Sequence, residues 1–161
     1  MIEGLVSTSA DWVLTITRIV LGVVFFAHGA QKMLGWFGGP GFNATMQVLT
    51  KQLRIPGPIA VLVISAEFFG GLGLIVGLLS RIAAAGIVLM LLGAIAMVHR
   101  RYGLFMDWYG NQKGHGFEYH LLALALALVV IVNGAGAFSI DYLWSEHHIT
   151  QTSALQQLTR R

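Results

Sequence analysis

Ionisable side chains interrupt the apolar runs of this sequence where water cannot serve them, and their types are those of proton transfer and acceptor binding. His28, Gln31 and Lys32 stand at i, i+3 and i+4, on one face of a helix. Glu67 lies about ten residues into the next apolar run, roughly 15 Å deep at a rise of about 1.5 Å per residue. His99 closes a third run, and Glu118 and His120, preceded by His115, open a fourth. A charge at mid-bilayer costs about 2.5 to 3.5 kcal/mol on insertion scales, so each of these groups asks for a partner. The Glu67 carboxyl must be protonated or paired with a cation, and Arg18 and His28, each about 9 Å deep from opposite sides, are the candidates. These residues support two readings: they pair with one another and fix helix register, or they line a polar cavity in one half of the fold.

A ferritin-type di-iron site needs four carboxylates and two Glu-x-x-His motifs. Only Glu67 and Glu118 lie within the runs, and His115-Gly116-Phe117-Glu118 has the reverse order, so no metal site is expected. A b-type haem needs two facing imidazoles, which His28 with His99 or His120 could supply. It ranks below the other readings because lone histidines at the ends of apolar runs are more often interfacial. With no cysteine there is no disulfide, no thiolate nucleophile, no cysteine-ligated iron–sulfur cluster and no covalently attached c-type haem. Any redox role therefore uses a non-covalent cofactor or a quinone.

The elements that must position these groups follow from composition. The 161 residues are 56% hydrophobic and 11% charged, with 20 glycines, and the mean hydropathy is +0.73. Soluble domains average about 25% charged residues, so lipid is the expected solvent. The net charge of +3 is scattered singly between apolar runs, which marks membrane flanks and not a nucleic-acid footprint. Spans need about 20 helical residues, and they are expected over 11–34, 58–79, 81–100 and 117–137. The fold class is an all-α integral membrane four-helix bundle, in one domain.

The first loop opens with Trp36-Phe37-Gly38-Gly39-Pro40-Gly41, which cannot continue a helix. With Asn43 as N-cap, Phe42, Met46, Leu49 and Leu53 form an apolar stripe, predicting a short amphipathic helix over 43–54. It lies flat in the interface or packs on its own loop. Only Ser80 separates the second and third spans, a tight antiparallel hairpin. The third loop carries Tyr102, Phe105, Trp108 and Tyr109 as an aromatic belt, and a polar tail covers 145–161. Met1-Ile2-Glu3-Gly4-Leu5 has an acid where a signal peptide has bases, so insertion is expected to use the first span. Lys32, Lys51, Arg54, Arg100, Arg101 and Lys113 outweigh Arg18 and Arg81, which places the first and third loops in the cytoplasm.

At the terminal side Arg18, Arg81 and Asp141 share a depth on three segments, and a salt bridge from Asp141 to one arginine is expected to tie the chain to the bundle. Gly70, Gly71, Gly73 and Gly77 give the second span a small-residue face, with Gly73 and Gly77 in G-x-x-x-G spacing. Close packing inside the bundle is its expected use, and oligomerisation stays open.

In order along the chain, Arg18-Ile19-Val20-Leu21-Gly22, Phe25-Phe26-Ala27-His28-Gly29-Ala30-Gln31-Lys32, Trp36-Phe37-Gly38-Gly39, Glu67 to Leu74, Gly77 to Ala84, His99, Gly116-Phe117-Glu118-Tyr119, Gly134-Ala135-Gly136 and Ser139-Ile140-Asp141 form one ordered set. The set resembles the DoxX family of small bacterial four-span membrane proteins. The resemblance covers about residues 12–144 and departs from the family pattern at Ala135, where proline is usual, relaxing the end of the fourth span. It implies a bacterial inner-membrane oxidoreductase subunit. Related proteins are linked to thiosulfate:quinone oxidoreduction, to quinone resistance and to complexes with thiol- or superoxide-handling partners, so the family specifies a fold better than a reaction.

The leading expectation is a quinone-interacting subunit of a membrane redox system, partnered by the lipid bilayer and by redox proteins. A quinone needs an apolar slot, donors to its carbonyl oxygens and groups that exchange protons. Gln31 and Lys32 would donate, with His99 and His120 completing the binding set, and His28, Glu67 and Glu118 would act as the catalytic proton shuttles. The alternative is a non-catalytic carrier or anchor that binds a small hydrophobic molecule or docks a partner enzyme through the amphipathic helix and Trp36, Phe37, Trp108 and Tyr109.

Overall fold

The computed structural model describes residues 2–147. A five-residue helix, α1 (Ile2–Val6), comes first. α2 (Trp12–Leu34) starts where the Asp11 carboxylate accepts the N–H groups of Val13 and Leu14 at 2.7 and 3.1 Å, and it stops at Gly35, left-handed at φ 74°. A 3₁₀ turn, Trp36–Gly38, leads to α3 (Gly41–Gln47), which runs on into a π turn, Val48–Gln52. α4 (Gly57–Val76), α5 (Ser80–Met97) and α6 (Glu118–Asn133) follow, and residues 140–147 are again helical. The polar tail expected at 145–161 lies outside the described residues after position 147.

α2 packs on α4, α4 on α5, α5 on α6 and α6 back on α2, which closes a four-helix ring. Leu21, Phe25, Leu74, Ile87, Leu91 and Val130 fill its centre. The outside is apolar as well: Val13 is 71% exposed, Leu62 67%, Leu89 72% and Leu122 69%. An apolar core inside an apolar exterior is a fold solvated by lipid. α2, α4 and α5 are each long and apolar enough to cross a membrane.

The fourth helix is shorter than the span expected at 117–137. Its 16 residues rise about 24 Å, and the chain leaves the helix at Gly134. Residues 134–137 continue as buried irregular backbone, turned by Gly134 (φ 92°) and Gly136 (φ 76°), with Phe138 exposed after them. Side chains of α2 serve the carbonyls of this stretch. The Thr15 hydroxyl donates to Ala137 O at 2.6 Å, and Arg18 donates to Ala135 O at 2.8 Å and to Phe138 O at 3.2 Å. Non-helical backbone persists at membrane depth only with such internal partners.

Both arginines close helix ends. Arg18, fully buried, also donates to the Leu74 and Ile75 carbonyls in the last turn of α4. Arg81 donates to Ile131 O, Val132 O and Ser7 O, closing α6. A cation there opposes the negative end of the helix dipole. Asp141 does the converse at the start of α5, where its carboxylate accepts the N–H groups of Leu79 at 2.8 Å and Ser80 at 2.9 Å. The expected Asp141–arginine salt bridge is therefore replaced by three helix caps, because unpaired helix-end groups lie at the same depth as the charges.

Other expectations are corrected in detail. Gly73 and Gly77 do not act together: Gly73 faces α5, where a Cβ would lie 3.8 Å from Ala83 Cβ, while Gly77 is the left-handed cap of α4 at φ 72°, with Ser139 against it. The α4–α5 connection is residues 77–79, and Ser80 is the first residue of α5. The amphipathic segment starts at Gly41 behind Pro40, so Asn43 is an exposed residue inside the helix and not its cap. The segment packs against α2 and α4.

Candidate functional site

Three glycines let α2 and α4 approach. A Cβ on Gly29 would sit 2.5 Å from Phe68 Cα and one on Gly22 2.8 Å from Ile75 N, while Gly71 meets the Phe26 backbone in the same way. Only residues without side chains tolerate that spacing. Almost one turn beyond Gly29, Lys32 reaches across, and its Nζ lies 2.5 Å from Glu67 Oε2. Glu67 is 3% exposed and the Lys32 side chain 35%. The partner of Glu67 is thus Lys32 and neither of the two residues first considered. Arg18 is spent at the opposite end of α4, and His28 is exposed, with Nδ1 donating to Val24 O at 2.9 Å.

The His99 and His120 rings meet with centroids 4.1 Å apart. The His99 Nδ1–H donates to His115 O at 2.8 Å, an assignment that leaves Nε2 as the basic nitrogen. His120 is buried, and its Nδ1 has no hydrogen-bond partner among the described residues. Lys32 and His99 line one groove, and His120 abuts His99, so the ion pair and the histidine pair form one cluster. His28 borders it, stacked on Tyr119 at 6.3 Å. Gln31 instead turns to the first loop, its Nε2 donating to Phe37 O at 3.4 Å. Glu118 fastens the third loop, its carboxylate accepting Met106 N–H at 2.9 Å and Trp108 Nε1–H at 3.0 Å. Among the described residues no three His, Asp or Glu side chains gather as a metal site. Sequence reasoning passed over Tyr119, which stands between two named residues and reads there as an interfacial ring.

Beside the cluster a groove of about 750 Å³ runs between α4 and α5. Small-molecule sites commonly measure roughly 300–1,000 Å³. Lys32, Arg54 and His99 line its loop end, and Ala66 and Gly86 line the other. The stretch of α5 from Gly86 to Met97 makes it about 16 Å long. Leu49, Leu53 and Ile55 contribute a wall from the first loop, and the well-exposed Leu62 and Leu89 leave the groove open toward lipid. A Cβ on Gly93 would meet nothing within 4 Å. The available sequence signal was Gly86 and Gly93, two turns apart on one helix face and followed by Ala94.

The sequence model of the DoxX family matches residues 13–100. That range holds Lys32, Arg54, Glu67 and His99 and ends before Glu118 and His120. A protein of Bacillus subtilis (strain 168) named "Putative oxidoreductase CatD" is 30% identical over 113 residues, which is 70% of this chain and 74% of that protein. No solved structure matches the chain.

Proposed function

The chain belongs to the DoxX family, and from that premise we propose that it is a quinone-interacting subunit of a membrane redox system in the bacterial inner membrane, with its first and third loops cytoplasmic. The observation that carries the reading is the lipid-facing apolar groove that ends on Lys32, Arg54 and His99, beside a buried His120 Nδ1 without a partner among the described residues. The oxidoreductase name of the Bacillus subtilis relative supports the redox half. A bound quinone supplies electron-and-proton carrier chemistry, with a partner redox protein as the source of electrons.

The chain's own residues do the rest. The apolar walls take the tail and exclude water. Lys32 has N–H groups beyond the one Glu67 accepts, and these donate to a ring oxygen at the head of the groove. His99 Nε2 takes or gives a proton there, and His120 stands in contact to pass it on. Glu67, held by Lys32, balances the charge as protons move.

The test is calorimetric titration of a short-tailed naphthoquinone into the protein in nanodiscs, where saturable binding at one site is expected. Gly93→Leu puts a side chain into the groove and is expected to weaken binding at least about tenfold, which is about 1.4 kcal/mol. Uptake equal to that of empty nanodiscs, or unchanged affinity in Gly93→Leu, overturns the reading. The carrier or anchor alternative shares the binding but not the chemistry. With a reduced donor protein present, Glu67→Gln slows quinone reduction in the first case and leaves it unchanged in the second.

A further inference from the structure

The charged side chains at the groove share one sign. Lys32 comes from α2 and Arg54 from the first loop, both donors only, and His99, from the turn after α5, donates there through Nε2 when that nitrogen is protonated. Among the described residues no acidic side chain lines the groove. The nearby acids are spoken for: Glu67 is buried behind Lys32, Asp107 accepts the N–H groups of Asn111 and Gln112, and Glu118 holds the third loop. Lys32 is neutralised by Glu67, but Arg54 has no hydrogen bond or ion pair among the described residues. Arg54 also occupies the left-handed region at φ 56°, between Leu53 and Ile55, which line the groove with it. That conformation is one that residues bearing a side chain rarely adopt. Arg54 is exposed, so the mouth of an apolar groove carries a guanidinium that no side chain of the described residues pairs.

We propose that Arg54, with Lys32 and His99, forms an anion-recognising head subsite, and that the groove takes a single-tailed amphiphile with a negatively charged head. Under the quinone reading, on which this last identification rests, the ligand is a quinone bearing an ionised ring hydroxyl. Charge-assisted hydrogen bonds are roughly twice as strong as neutral ones, and the planar guanidinium fork matches a pair of neighbouring oxygens. A neutral head forms only the weaker bonds.

The experiment compares two matched pairs in nanodiscs of zwitterionic lipid: an ionised hydroxynaphthoquinone against its methyl ether with the same alkyl tail, and dodecanoate against dodecanol. Each anion is expected to bind at least about tenfold more tightly than its neutral partner, as one charge-assisted bond implies. Arg54→Met and Arg54→Gly are expected to erase both preferences while the ether still binds. The glycine variant suits the left-handed backbone, so it keeps the test independent of folding. Preference in the fatty pair with no binding of either quinone keeps the subsite and removes the quinone reading. Equal binding within both pairs removes the subsite and leaves the quinone reading standing. Preferences that survive in Arg54→Gly also overturn the subsite. Displacement of dodecanoate by phosphatidylglycerol added to the disc overturns the single-tailed identity in favour of a phospholipid head.

Discussion

Removing Lys32 and removing Glu67 break the same ion pair but are unequal perturbations. Lys32→Met strands a carboxylate that is 3% exposed. Breaking a buried pair from one side costs about 3–5 kcal/mol. The Lys32 side chain is 35% exposed, which screens the pair and brings the expectation down to about 2–3 kcal/mol. Glu67→Gln strands an ammonium that keeps its route to the groove, and the new amide oxygen still accepts from it, so about 1 kcal/mol is expected. The double variant buries no lone charge and is expected to cost less than the two single changes together, with a coupling of about 1–2 kcal/mol. Reversible unfolding in mixed micelles, with dodecyl sulfate titrated into a non-ionic detergent and followed by circular dichroism, measures all three. Equal costs for the single variants, or strict additivity, would refute the assignment of Lys32 as the group that holds Glu67.

Three further predictions use the same unfolding assay or hydrogen exchange. Gly29→Ala forces α2 away from Phe68 and is expected to cost about 1–3 kcal/mol, whereas Gly70→Ala, whose nearest neighbour would be 3.6 Å away, is expected to be neutral or stabilising by up to about 1 kcal/mol. Arg18→Lys replaces a fork that serves carbonyls of Leu74, Ile75, Ala135 and Phe138 with a single point of donation, so a loss of about 2–3 kcal/mol and faster amide exchange over 134–138 are expected. Glu118→Gln weakens the bonds to Met106 and Trp108 and is expected to speed exchange of the Met106 amide while α5 is unaffected; an unchanged Met106 rate would mean that Glu118 does not hold the loop.

The sequence by itself determined the solvent and the elements. The apolar run at 58–79, broken only by Glu67, and the uncharged stretch 82–98 call for lipid as the solvent of helices long enough to span it. It also determined the level of the polar groups, since 1.5 Å per residue places Lys32, Glu67, His99 and His120 in one half of the bundle. Tertiary structure decided which of them meet. Helix depth says nothing about rotation around the axis, and the close contacts at Gly22, Gly29 and Gly71 set that rotation, turning Lys32 onto Glu67 and leaving His28 outside. Arg18, Arg81 and Asp141 looked like ion-pair partners because formal charges are visible in a sequence and orphaned helix-end carbonyls and amides are not. The stop of α6 at Asn133 has the same origin: buried donors on α2 make an irregular backbone tolerable there. The groove is a concavity among α4, α5 and the first loop, and such a shape exists only once those elements are assembled.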